Sequence, residues 1–110
     1  MSFWTMLMID VREGTAEAAA RAHTKRRSVE EAAETVAGFR HGETLVSTDD
    51  PKLMCVMCVW EDEAAYEEWQ NSPVRGKQVT DLAGVISGDI KTLSFRSVHC
   101  VPGKNQGTDT

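Results

Sequence analysis

The run Leu53-Met-Cys-Val-Met-Cys-Val-Trp60 constrains the fold of this 110-residue chain more than any other segment. It follows a turn-forming Thr48-Asp49-Asp50-Pro51 and reads as a strand. Successive side chains of a strand point to opposite faces of the sheet. Leu53, Cys55, Met57 and Val59 therefore share one face, and Met54, Val56, Cys58 and Trp60 share the other. Both sets are apolar. A sheet with helices on one side and water on the other should instead alternate apolar with polar. Phe3 to Val11 behaves in the same way, with Phe3, Leu7 and Ile9 on one face and Trp4, Met6 and Met8 on the other. Both sides of the sheet need a cover.

The remaining elements follow from capping and turn signals. Gly14-Thr15 ends the first strand, and Thr15 caps an Ala- and Glu-rich helix running to Ala37. Ala18, Ala22, Val29, Ala32, Ala33 and Val36 form its apolar stripe, and the capping box Ser28-Val29-Glu30-Glu31 predicts a break or kink near Ser28. Gly38 stops this helix, and Phe39 to Ser47 is a second strand forming a hairpin with 53–60. Asp62 caps a short helix over 63–70, Ser72-Pro73 restarts a helix to about Val85, and Ile90 to His99 is the last strand.

The order β-α-β-β-α-β predicts an α+β, ferredoxin-like antiparallel sheet with its helices on one face. One domain occupies residues 1–102, and the polar, Gly-containing stretch 103–110 reads as a flexible C-terminal tail. An uncovered second face would be an apolar patch of roughly several hundred Å², more than soluble monomers usually expose. Burying it at about 25 cal/mol/Å² favours packing against a second sheet, so a homodimer is expected.

A net charge of −5 argues against a nucleic-acid surface, which needs a Lys/Arg excess. No apolar run approaches the ~20 residues needed to span a bilayer. Three cysteines without a secretory signal point to a reducing, cytoplasmic setting. Cys55 and Cys58 have C-x-x-C spacing, but three residues apart on a strand they face opposite ways and cannot grip one ion. No metal site is expected.

After the third strand comes Trp60-Glu-Asp-Glu-Ala-Ala65-Tyr66-Glu-Glu-Trp69-Gln-Asn-Ser72-Pro-Val-Arg75. This W-x(4)-A-Y-x-x-W-x-x-S-x-x-R pattern, with the predicted element order, resembles the antibiotic biosynthesis monooxygenase family, the dimeric α+β barrels. The resemblance covers residues 3 to 99. It implies a homodimer with a small aromatic substrate and a cofactor-free monooxygenase with molecular oxygen as co-substrate. Such an enzyme oxidises a polycyclic phenolic or anthrone-type intermediate of aromatic polyketide biosynthesis to a quinone. The alternatives are a polyketide cyclase or isomerase, and a non-catalytic accessory dimer. The haem-degrading relatives need an Asn and a His where this chain has Leu7 and Val79, which argues against haem.

Trp and Tyr offer flat apolar walls together with N–H and O–H donors. The resemblance implies that Trp60 and Tyr66 orient oxygen or peroxide. An Asn found in some relatives four residues before the Trp is replaced by Val56. The candidate bases are His41 and Asp10, as strand residues able to project into a helix–sheet cavity. His23 joins them if its face of the helix turns inward. Trp69, Val56, Met54 and His23 are the candidates for contacting the substrate. Each aromatic also fits a purely packing role, since Ala65, Tyr66 and Trp69 form a normal core-facing set.

Overall fold

The structure, a computed structural model, describes residues 2–104; residues 105–110 of the expected tail lie outside the described residues. Four antiparallel strands form one sheet in the order β2-β3-β1-β4, with β1 Phe3–Val11, β2 Phe39–Val46, β3 Leu53–Trp60 and β4 Gly88–Arg96. Helices α1 Ala16–Lys25, α2 Ser28–Thr35, α3 Glu63–Gln70 and α4 Pro73–Leu82 complete the chain. The arrangement is the ferredoxin-like α+β fold.

The register fixes the two faces. Phe3, Thr5, Leu7 and Ile9 pair with Trp60, Cys58, Val56 and Met54, and these side chains meet the helices. The core is a continuous set in which Ile9, Val11, Ala32, Val36, Met54 and Trp60 are all nearly inaccessible. Met6 lies between Met57 on β3 and Leu93 on β4, in the middle of the other face. None of the described helices covers that side, and Phe95 is 50% exposed there. Cys55 and Cys58 are on opposite faces, as strand geometry requires.

The helices match their caps, with corrections to their ends and to one buried face. Thr15 accepts a hydrogen bond from the Ala18 amide at 3.1 Å, and Asp62 and Ser72 cap α3 and α4 likewise. The long first helix breaks at Arg26-Arg27, with Arg27 left-handed at φ 59°, so Ser28 begins α2 from the inside and is not its cap. The buried stripe of α1 is Ala16, Ala19 and His23, not Ala18 and Ala22. In so Ala-rich a helix the apolar positions go all the way round, and contact with the sheet selects the face. α4 stops at Leu82, short of 85, and β4 runs from Gly88 to Arg96, earlier than 90–99 at both ends.

Close approach explains the glycine at position 42. A β-carbon on Gly42 would stand 2.6 Å from Val29 Cγ1 and 2.9 Å from Phe39 Cζ. With hydrogen alone at this position, α2 lies directly on β2.

Candidate active site

α4 bridges from α3 back over the sheet and is fastened to the α1–α2 corner. The Arg26 guanidinium reaches Glu31 and Asp81, each at 2.9 Å, and Lys77 adds a 3.0 Å contact to Asp81. Gln78, the one buried residue of α4, donates from Nε2 to the Ser28 carbonyl at 3.0 Å and to Glu31 at 2.9 Å. These contacts hold Glu31 and Asp81 below the usual carboxylate range, led by the hydrogen bonds from Gln78 and Lys77 respectively.

Beneath this bridge is a cavity of about 470 Å³. Leu7, Ile9, Val56 and Cys58 form its floor, Trp69 closes one side, and Val79 and Leu82 roof it. Its volume suits an organic ligand of two to four rings, since pockets of roughly 300–1,000 Å³ take drug-sized molecules. Five polar residues border this apolar space: His23, Ser28, Arg75, Gln78 and Ser87.

Two of the five have buried polar atoms without partners. His23 is 8% exposed and Ser28 3%, and neither His23 Nδ1 nor Ser28 Oγ has a hydrogen bond. Such groups are rare in native structures because each forgoes its hydration without compensation. Burial pushes the His23 pKa below its ordinary value of 6.5, opposed by the nearby Glu30 carboxylate, so the ring is neutral at pH 7. The Arg75 guanidinium makes no ion pair among the described residues.

The expected site residues divide into three groups. His23, Val56 and Trp69 line the cavity. Trp60 and Tyr66 do not. Trp60 is 1% exposed, and its indole N–H is already engaged, donating to Thr5 Oγ1 at 3.0 Å. It stands edge-on to Phe39 at 5.4 Å and is 5.7 Å from Tyr66, which in turn meets Phe3 at 5.8 Å. This cluster forms the core at one end of the sheet. The half-buried Tyr66 phenol is pushed up by burial, with Arg75 opposing, and stays protonated at neutral pH. Met54 is 0% exposed and packs in the core away from the cavity.

His41 and Asp10 lie on the wrong side of the sheet for a helix–sheet cavity. Asp10 pairs with Leu53 and Asp89 on the helix-free face. A bulge between Phe39 and His41 lets Phe39 pair with Trp60 and His41 with Val59, which carries His41 to that same face. There its Nε2 meets Glu43 Oε2 at 2.7 Å.

Of the polar residues in the cavity wall, the sequence reading missed Ser28, Arg75, Gln78 and Ser87. Gln78 had a signal: it interrupts the i, i+4, i+8 stripe Val74, Gln78, Leu82, where an apolar residue belongs. Among the described residues no group of three or more His, Cys, Asp and Glu side chains gathers as a metal site would require. None of the described helices is long and apolar enough to cross a membrane.

The fold is shared with solved structures. SnoaB, a cofactor-independent oxygenase from Streptomyces nogalater, superposes with a TM-score of 0.74 at 18% identity, over 93% of this chain and 98% of its own. ActVA-Orf6, a monooxygenase of Streptomyces coelicolor solved with nanaomycin D, gives 0.74 at 18% identity, over 94% and 93%. A conserved protein from Methanosarcina mazei gives 0.69 at 12%, over 87% and 92%. A search of curated proteins finds no match. The family model for antibiotic biosynthesis monooxygenases matches residues 3–77, which takes in the first three strands, α3 and the start of α4. The chain belongs to the antibiotic biosynthesis monooxygenase family.

Proposed function

We propose that this protein is a monooxygenase that oxidises a polycyclic phenol or anthrone of aromatic polyketide type to a quinone, using O2 and no organic cofactor or metal. The observation that carries the reading is the cavity under α4, an apolar slot with a few polar groups inside a chain of this family. SnoaB is described as cofactor-independent and ActVA-Orf6 binds nanaomycin D, which supports both the chemistry and an aromatic ligand.

In such a reaction the substrate supplies the electrons. An anthrone CH2 loses a proton, and the carbanion reduces O2 to give a carbon-bound hydroperoxide. Loss of water from that hydroperoxide leaves the carbonyl of the quinone, so one oxygen atom enters product and the other leaves as water. The protein's work is to exclude water, hold the ring system and stabilise the anion. Leu7, Ile9, Val56 and Trp69 provide the apolar walls, and Arg75 provides a positive charge in the same space.

The test is O2 uptake by metal- and flavin-free protein supplied with an anthrone. The expected result is one O2 consumed per quinone formed, with a rate at least roughly tenfold lower in Val56→Phe, which fills the slot. No rate above buffer, or an unaffected Val56→Phe, would overturn the reading. A proton-transferring isomerase is the second reading, favoured by the neutral His23 in the cavity wall. Anaerobic turnover distinguishes it.

The same proposal gives the helix-free face of the sheet to a second copy of the chain, making a dimeric α+β barrel. Trp4, Met6, Met8, Leu93 and Phe95 supply an apolar surface that none of the described helices covers, with Phe95 50% exposed.

A further inference from the structure

The α1–α2 corner carries a pair of side chains that the fold does not explain. His23 Nδ1 and Ser28 Oγ are both enclosed, both unpartnered, and both belong to residues in the wall of the α4 cavity. Structure alone would favour replacing them. An alanine at 28 would remove a buried hydroxyl with nothing to bond, and an apolar residue at 23 would complete the Ala16–Ala19 stripe. Paired orphans in one wall of an otherwise apolar pocket mark where a ligand's polar group belongs.

His23 has a second property. It also lines a separate groove on the outside, between α1, α2 and β2, with Thr24, Glu30, Phe39, Glu43 and Thr44. The ring therefore stands between the cavity under α4 and a groove that carries Glu30. The charged groups around it are Glu30 from α2 on the groove side and Arg75 from α4 in the cavity, while the Glu43 side chain on β2 points to the other face of the sheet with His41. Glu43 is engaged with His41, which leaves Glu30 as the carboxylate acting on the ring.

We propose that His23 and Ser28 form the subsite for a phenolic hydroxyl, with His23 taking its proton and Ser28 donating a hydrogen bond to the phenolate oxygen. The inference rests on the oxygenase reading above and names the groups that recognise and ionise its substrate. In the step, the phenol O–H bond breaks and an N–H bond forms on the imidazole. The products are a phenolate and an imidazolium in contact, with no change in oxidation state. Arg75 in the same cavity favours the anion. The proton then passes from the ring to the groove, where Glu30 and water receive it, so that it does not cross the substrate. The neutral resting state of the ring, enforced by burial, keeps it ready to accept.

The experiment titrates the full-length protein with a hydroxyanthraquinone, whose visible absorption moves to the red on ionisation, and with its methyl ether. ¹⁵N NMR of the ring nitrogens runs in parallel. The chain has three histidines, so His23 is assigned by difference with His23→Gln. In the native protein at pH 7 the phenol should bind with a red shift while His23 moves from the neutral to the imidazolium pattern. The methyl ether should give neither change. His23→Gln should bind the phenol without the red shift. Ser28→Ala should raise the melting temperature or leave it unchanged while weakening phenol binding several-fold. An equal red shift in His23→Gln, a neutral His23 in the complex, or binding that ignores Ser28→Ala would overturn the proposal even if O2 uptake with anthrone persists. O2 uptake that fails while the phenol still ionises on His23 would overturn the oxygenase reading and leave the subsite standing. Absence of saturable phenol binding would overturn both.

Discussion

Three residues show how environment sets chemistry here. His23 is neutral because it is buried, and this gives folding a pH dependence of definite sign. Its folded pKa lies below the unfolded value of about 6.5. Between those two values the unfolded chain binds a proton that the native chain refuses, so stability falls as pH drops through that window and levels off below the folded pKa. Chemical denaturation from pH 7.5 down to 5 should show this loss, and His23→Gln should remove the part due to His23. Cys58 obeys the same rule with the opposite charge type. Burial, helped by Cys55, pushes its thiol up to about 12, so almost no thiolate exists at pH 7. Native-state alkylation with iodoacetamide, read by peptide mass spectrometry, should label the exposed Cys100 and spare Cys58 until the protein unfolds. Trp60 illustrates the limit of reading a role from residue type. Its N–H satisfies Thr5 and its ring anchors Phe39 and Tyr66, so Trp60→Phe should cost about 2–3 kcal/mol of stability, from lost volume and an unpaired Thr5. The KM for an aromatic substrate should not change.

At the level of the element, α2 lies close against β2. Gly42→Ala would drive a rigid β-carbon into Val29 and Phe39, with a destabilisation of about 1–3 kcal/mol in urea unfolding. Gly42→Ala combined with Val29→Ala should recover part of it, because the clash is with the valine methyl. The elements themselves were legible in the sequence because each boundary has a local cause: Thr15, Asp62 and Ser72 as caps, Pro51 in the hairpin turn, and Pro73 at a helix start. What was not legible depends on contacts between elements. The bulge after Phe39 leaves no mark in the text, yet it turns His41 away from the cavity and decides that this histidine is not in the site. The rotation of α1 is equally silent, since alanine occupies both possible faces, and it is this rotation that brings His23 inward. Strand alternation and the i, i+4 spacing of α3 made it legible that Val56 and Trp69 face inward, but Met54 and Trp60 share the face of Val56 and lie outside the cavity, so the packing of the helices decides which of them border it.

The molecule as a whole has one side finished and one side open. On the open side Met6 sits between Met57 and Leu93, and Trp4, Met6 and Phe95 border a hollow of about 530 Å³ under Cys100 and Val101. A second copy of the sheet would bury this surface, and sedimentation velocity on the native chain at micromolar concentration should give a dimer. Placing charge at the centre should reverse this. In Met6→Glu combined with Phe95→Glu, each association would bury unpaired carboxylates, a cost of several kcal/mol per group that exceeds what the contact returns. The variant should sediment as a monomer. Its far-ultraviolet circular dichroism should be unchanged, because the core lies on the other side of the sheet. The cavity under α4 is lined from a single chain, so this monomer should still bind a phenol, with weaker affinity only to the extent that the partner steadies the sheet. A native protein that sediments as a monodisperse monomer would remove the dimer from the account and leave the cavity in place. A charged variant that stays dimeric would show that a different surface joins the copies.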